Sequence, residues 1–539
     1  MEAVAVFAVA DAIGHFEQAR ALLQEQKRLQ TELAAAEVER LYAHLGRAYA
    51  DQNAWEKAQK AYEELLAYAQ HQYQFTLASV TLNRLAILAV QQTSDKPKAR
   101  ALFEQALQMA ETSQDQRALA ETEWNLATTA LWEDSKRALS HGQQALSLAR
   151  ALHDQELEAR SLSSLGWIHL LGGDFEEAMH CFDASLLLYG RLHTEQTASR
   201  ELSLVHFLSG APLTQTLTKR ATEVVCWAFL ALAQLHVGQV QDSIRSGRQA
   251  LALAQDSKSV WVHFSSTFAL VHALLDAGVY EEALGLMQPI VAPARTLPPT
   301  LLFQSFLTAL ERTYHALQHW DEARSTLAEL DAVAETLDLG RLRSLALSQL
   351  CMNYSVTGEW EAASHYAVQA IALRKRAKRA LNMLDFSRQY ETEALLRVGD
   401  ERQAREALQP LGEHPRLPRR FRIPYLRSLA ILAAWEGERE RAIGHLREAA
   451  QLTAEIGLPA EQWQIQSALG RVYETAGEQG QERTAFGEAA KIIQGLAEGI
   501  KDETLRSRFL AGPQIHLVLQ HAQRLATWLP DDHTEPSGP

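Results

Sequence analysis

Cysteine is almost absent: three residues in 539, Cys181, Cys226 and Cys351, stand far apart and in no metal-ligand spacing. They read as small buried hydrophobes in a reducing cytosol. Glycine (27) and proline (15) are scarce for this length, and Ala, Leu, Gln, Glu and Arg dominate, which favours helix nearly throughout. No Val/Ile/Thr alternation reads as a strand. No apolar run approaches the ~18 residues of a membrane span. Ala3 to Ala10 is apolar, but Glu2 stands where a signal peptide needs positive charge and the run is short. A cytoplasmic location is expected. The apolar fraction of 47% excludes intrinsic disorder, and the net charge of −14 argues against nucleic-acid binding by the whole surface.

Catalytic signatures are missing too. Gly-Lys never occurs as a pair, so there is no phosphate loop to cradle a triphosphate. No Gly-x-Ser-x-Gly elbow and no strand-following Gly-x-Gly-x-x-Gly occur. His315 and His319 lie four apart but without the zinc-protease glutamate, so a surface or turn role is expected. His180 and Cys181 are adjacent on a helix, about 100° apart, and cannot readily face each other. The expectation is no enzyme, no cofactor and no metal.

What the chain does have is an alanine at a nearly fixed step of forty residues, following an aromatic and acidic cluster. Tyr280-Glu281-Glu282-Ala283, Trp320-Asp321-Glu322-Ala323 and Trp360-Glu361-Ala362-Ala363 show it, as do Trp55 to Ala58 and Phe175 to Ala178. The anchors are Ala12, Ala58, Ala99, Ala138, Ala178, Ser243, Ala283, Ala323, Ala363, Ala404, Ala442 and Glu482. A small residue lies twelve positions before several of them (Gly46, Gly166, Gly470), and aromatic residues follow the anchors (Tyr62, Phe182, Phe486). Such a period means one supersecondary unit repeated, each unit covering its neighbour's apolar face. The small residues let two helices approach closely, and the aromatic rings fill the space between them. Acidic pairs such as Glu176-Glu177 suit the first turn of the second helix.

This order of features resembles the tetratricopeptide repeat, two antiparallel helices A and B per unit. The steps of 38 to 41 residues resemble the repeats of bacterial signal-transduction ATPases and LuxR-type, maltose-regulon-activator-like regulators. The resemblance implies an all-α fold, a right-handed superhelical solenoid of eleven or twelve helix pairs. It also implies that a nucleotide-binding module would belong to a longer parent chain. Ala12, Phe16 and Ala19 match a helix B whose helix A is missing, so the chain reads as the C-terminal piece of a longer protein, or its first helix packs elsewhere.

The expected organisation is a first sub-array over 1–190, a degenerate repeat or joint over 191–222 and a second sub-array over 223–495. A capping segment over 496–529 and a disordered tail over 530–539 would follow. The step from Ala178 to Ser243 is 65, and Ser209-Gly210-Ala211-Pro212 breaks the helix between them. Leu496 to Pro513 also resembles the terminal segment of regulator-linked arrays.

Projecting the repeat register places Arg47, Asn83, Trp124, Arg160, Trp167, Phe268, His272, Arg312 and Met352 on the concave face, where a solenoid binds. Two tryptophans near arginines suit a peptide or sugar-like ligand, unless the rings pack between repeats. From Arg374 to Arg427 the chain carries fourteen Lys/Arg against seven Asp/Glu. The cores of that segment are Arg374, Lys375, Arg376, Lys378 and Arg379, then Arg419, Arg420 and Arg422. They read as a solvated basic face, or as a docking patch for an acidic partner; nucleic acid is the weakest of the three readings. The expected function is a non-catalytic interaction and regulatory scaffold in bacterial signalling or transcription control. It would bind a protein or peptide, or the domains of its own parent. The alternative is a small-molecule sensor, favoured by a dry cavity near the 191–222 joint; a shallow open groove favours the scaffold.

Overall fold

The computed structural model describes residues 13–22, 35–51, 54–93, 96–130, 134–194, 219–255, 260–295, 301–336, 340–377, 381 and 383–527. Among them every regular element is a helix. Residues 13–22 form α1. The helix pairs that follow are α2 (Ala35–Asp51) with α3 (Trp55–His71), α4 (Phe75–Thr93) with α5 (Lys96–Ser113), α6 (Gln116–Ala130) with α7 (Ser135–Ala151), and α8 (Gln155–Gly172) with α9 (Phe175–Thr194). Next come α10 (Lys219–Val237) with α11 (Val240–Ala254), α12 (Val260–Asp276) with α13 (Tyr280–Ala294), α14 (Leu301–Ala316) with α15 (Trp320–Thr336), and α16 (Gly340–Val356) with α17 (Trp360–Ala377). The last are α18 (Arg388–Arg397) with α19 (Glu401–Gly412), α20 (Arg419–Trp435) with α21 (Arg439–Ile456), α22 (Pro459–Ala476) with α23 (Gln479–Gly499), and α24 (Glu503–Leu510) with α25 (Pro513–Thr527).

The anchors behave as the repeat demands. Ala58, Ala99, Ala138, Ala178, Ala283, Ala323, Ala363, Ala404 and Ala442 are fully buried, and so is Ser243. Ala12 lies outside the described residues. Each anchor of the form aromatic-x-x-Ala sits in the first turn of a helix B, where the neighbouring carboxylates meet the positive end of the helix dipole. The small residues of helix A face rings of helix B. A Cβ on Gly46 would lie 2.5 Å from Tyr62, on Gly166 2.7 Å from Phe182, and on Gly470 2.6 Å from Phe486. Several helices start on an aspartate cap: the Asp134 side chain accepts from the amides of Lys136 and Arg137, and Asp154, Asp400 and Asp502 act likewise.

The chain divides into two compact units, Met1–Leu230 with Ala252–His263, and Ala231–Leu251 with Phe264–Pro539. Of the expected joint over 191–222, residues 195–218 lie outside the described residues; α9 reaches Thr194 and α10 begins at Lys219. The expected disordered tail over 530–539 also lies outside them.

In the first unit, contacts run from one hairpin to the next. Asn83 donates to Thr122 and accepts from Asn125, the Trp124 indole donates to the Arg160 carbonyl, and Trp167 lies against Phe229 with ring centroids 4.0 Å apart. The second unit adds contacts between hairpins far apart in sequence. A Cβ on Gly238 would meet Ile456 at 3.0 Å and one on Gly278 would meet Leu496 at 2.4 Å. Tyr280 packs on Phe509, and Arg508 pairs with Glu322 at 2.7 Å. The hairpins of the second unit therefore close back on themselves, the late ones resting on the turns of the early ones.

Candidate functional site

That closure brings the A helices α12, α14, α16, α18, α20 and α22 around a polar interior. Asp276, the last residue of α12, is its pivot. Its carboxylate accepts from the Arg312 Nη2 at 2.6 Å and from the Arg420 Nε at 3.2 Å. Burial opposes its ionisation, yet the two guanidiniums outweigh burial and hold its carboxyl below the ordinary value. Arg420 is fully buried, also pairs with Glu461, and lies over the Phe386 ring, 3.9 Å from its centroid.

Three histidines line or flank this interior, and burial depresses all of them. The His272 Nδ1 accepts from Arg312 at 2.8 Å, since a guanidinium only donates; burial and Arg312 keep the ring neutral. His236 holds the Leu232 carbonyl through Nδ1 at 2.6 Å and receives the Leu384 amide at Nε2, 3.0 Å. Its pKa is pushed down to about 4, as is that of His315. His315, half-buried, lines the space described below, while the buried His319 lies in the α14–α15 turn.

Two adjoining spaces open here. The inner cavity, about 120 Å³, is lined by Asp276, Arg312, His315, Gln318, Gln349, Met352, Phe386 and Ser387 among others. The outer groove, about 420 Å³, runs along Leu396, Arg397, Ile431, Trp435, Ser467 and Arg471. Gln389, Tyr390, Arg427, Trp463 and Gln464 line both and form their shared wall. In the inner cavity, Gln318 Oε1, Gln349 Oε1 and Ser387 Oγ are buried without a hydrogen-bond partner.

Of the nine concave-face expectations, Arg312 and Met352 line the inner cavity, and His272 stands behind it holding Arg312. Phe268 packs edge-on against His272, 4.4 Å between centroids. Trp124 and Trp167, in the first unit, are buried between hairpins, as are Asn83 and Arg160; Arg47 on α2 is half-buried. The register had placed these side chains on an open face. Trp124, Trp167 and Asn83 instead reach the neighbouring A helix, through the Arg160 carbonyl, the Phe229 ring and Thr122.

The basic segment does not form one solvated face. Arg374 is largely buried against Asp385 and Glu391, and Arg420 is wholly buried. Lys375 pairs with Glu406, Arg419 with Glu455 and Arg422 with Glu448, leaving Arg376 exposed at the end of α17. Lys378 and Arg379 lie outside the described residues. Carboxylates outside the segment meet Arg405, Arg419, Arg420 and Arg422, while Arg374, Lys375, Arg388 and Arg397 pair within it.

Sequence reasoning missed Gln318, Gln349, Tyr390, Arg427, Trp463 and Gln464. Gln318 did carry a signal. Five positions before the anchor, the A-to-B turns carry Gly173, Gly238, Gly278, Gly358, Gly399, Gly437 and Gly477, all with positive φ. Gln318 occupies that position with φ +64°. No groups of His, Cys, Asp or Glu among the described residues could hold a metal ion. Burial pushes the Cys181 thiol up to about 11, which disfavours a nucleophilic thiolate. No described helix is long and apolar enough to cross a membrane.

No family model and no curated protein matches the chain. Among solved structures it is similar to a Rap protein complexed with Competence and Sporulation Factor, at 13% identity, covering 78% of this chain and 99% of that one with a TM-score of 0.46. A signal transduction ATPase with a tetratricopeptide repeat sensor from Pyrococcus horikoshii is 13% identical, covers 68% of this chain and 52% of that one, and gives 0.40. The human IFIT1 dimer with m7Gppp-AAAA is 12% identical over 84% of this chain and 91% of that one, at 0.43. None of these scores reaches 0.5, so the tandem hairpin fold rests on the helix pairs and buried anchors described above.

Proposed function

We propose that this chain is a non-catalytic docking array whose second unit holds an extended segment of a partner protein. The segment lies in the outer groove and sends one side chain through the shared wall into the inner cavity. The observation that carries this reading is that wall: Tyr390, Trp463, Arg427, Gln389 and Gln464 join an aromatic surface to hydrogen-bonding groups, the mixture that binds a peptide with both area and direction. Trp435 on the groove is 52% exposed, an apolar ring left open to a partner. As part of the same reading, the array serves a regulatory role in bacterial signalling or transcription control; the repeat pattern supports this.

A small-molecule sensor is the second reading. The inner cavity favours it, although that cavity lies among α12 to α24 and not at the 191–222 joint. Its volume is below the ~300–1,000 Å³ of usual ligand pockets, which suits the end of one side chain better than a whole metabolite. Selection of displayed 12-residue peptides on the immobilised full chain tests the proposal. The selected peptides should lose at least about tenfold in affinity with Trp435→Ala or Ile431→Glu, with the melting temperature unchanged. Failure to select any peptide, or binding indifferent to both changes, rules the groove out as the docking site.

A further inference from the structure

Two arginines on the outer groove depart from a habit of the second unit. Elsewhere in it, even exposed cations reach carboxylates across hairpins: Arg405 meets Glu436, Arg419 meets Glu455 and Arg422 meets Glu448. The chain's net charge of −14 makes such partners plentiful. The groove is different. α18 brings Glu393 and Arg397, which pair with each other at 3.3 Å. α20 brings Arg427, Ile431 and Trp435 at a four-residue step, one stripe along a helix face. α22 brings Gln464, Ser467 and Arg471 at steps of three and four. The Arg427 Nη1 donates to Gln464 Oε1 at 3.1 Å, and its guanidinium lies 5.8 Å from the Tyr390 ring centroid. The Arg471 Nη2 donates to the Ser467 hydroxyl at 3.4 Å. Both thus bond neutral oxygens, and neither forms an ion pair among the described residues. Arg427 is half-buried and Arg471 exposed.

We propose that the segment held in the outer groove is acidic, with Asp or Glu carboxylates on Arg427 and Arg471 and an apolar side chain on Ile431 and Trp435. This names the partner chemistry of the docking reading above and rests on it. A guanidinium has five N–H donors, so each arginine keeps donors for a carboxylate after its bond to Gln464 or Ser467. Bonds of that kind are charge-assisted and stronger than the neutral ones they add to. A basic segment would meet two uncompensated cations, and like-charge contact excludes wrong partners. Glu393 does not offset them, because Arg397 already holds it.

Peptides selected from the 12-residue display library on the full chain test this. The enriched sequences should carry Asp or Glu together with an aromatic or aliphatic residue. In the synthetic peptide, replacing the acid with Gln should weaken binding about fivefold or more by fluorescence anisotropy, and less so at high salt. On the Arg427→Gln/Arg471→Gln double variant the same replacement should cost less than about twofold, the non-additivity that direct contact produces. The double Lys variant should keep most of the preference. Arg471→Gln alone, a change at an exposed position, should lower the preference measurably even if the double variant folds poorly. Enriched peptides free of acidic residues, or an acid preference untouched by the arginine variants, overturn the proposal. If such peptides still lose affinity with Trp435→Ala, the docking reading stands without it. If no peptide is selected, both fall. A short oligouridylate that binds more tightly than the peptides, and is lost in the same variants, assigns the groove to nucleic acid and also overturns the proposal.

Discussion

In the first unit Asn83, Thr122 and Asn125 bridge neighbouring A helices with neutral hydrogen bonds, and Trp167 fills the next seam against Phe229. In the second unit the corresponding helices carry Asp276, Arg312, Arg420 and Glu461, and the Arg420 bond to Asp276 spans 144 positions of sequence. The same hairpin therefore supports two regimes. Where the contacts pass from one hairpin to the next, stability is close to a sum of neighbour terms. Where ion pairs and turn glycines let distant hairpins meet, the unit gains an interior, and with it the candidate site. The turns differ as well. The second unit uses glycine at most left-handed turn positions, while the first holds Tyr73, Gln114 and His153 with positive φ between hairpins.

The strongest break of this comparison is an anchor charge. Ala138→Asp in the first unit and Ala323→Asp in the second each bury an unpaired carboxylate in a close helix contact, at a cost of about 4 kcal/mol or more. Hydrogen exchange should rise only in the hairpins beside Ala138, but across α12 to α25 for Ala323. Equal spread in both units would mean that closure of the second has no energetic weight. Next, Arg420→Met leaves Glu461 and half of Asp276 without their buried partner and should cost about 3 kcal/mol in denaturant unfolding. Unchanged stability would show the ion pairs to be incidental to closure.

Acid and base sharpen the comparison further. Glu311, buried on α14, has its carboxyl pushed up to about 8 by burial, only partly offset by Arg312. The native state therefore holds a proton that the unfolded chain has lost, and stability falls as pH rises from the ordinary carboxyl range to about 8. His236 and His315, depressed to about 4 from 6.5, act oppositely: the unfolded chain binds more protons, so stability rises from pH 4 to 6.5. The second unit should be most stable near pH 6.5 and lose about 2 kcal/mol by pH 8. Glu311→Gln should remove that loss, read by thermal melts across pH 6 to 9; a decline that survives the substitution assigns it elsewhere. The smallest effect is Gly166→Ala in the first unit, where the new Cβ presses on the Phe182 ring and should cost about 1 kcal/mol in unfolding titrations. A neutral result would show that the ring can rotate away.

The anchors and their aromatic partners were readable because they are local steric demands. Ala323 must be small whatever lies beyond its own hairpin, and Gly46 must yield to Tyr62 sixteen residues on. The site was readable only in fragments. Arg312 and Met352 follow from the helix A register, and Gln318 stands out as a break in a glycine rhythm. Arg427 and Trp463 leave no such trace, since their meeting with Tyr390 depends on how much each hairpin rotates against the next. The basic segment misleads for the same reason: Asp276, which neutralises Arg420, lies more than a hundred residues away.

By itself, the sequence determined the helical hairpin, its step and the crossings that tolerate only small side chains, because helix periodicity and close packing act over a few turns of chain. Only the tertiary structure decided that the second unit closes, that its cations are buried in pairs, and that two adjoining spaces open in its interior. Small rotations between hairpins add up over several repeats, and no single repeat carries their sum.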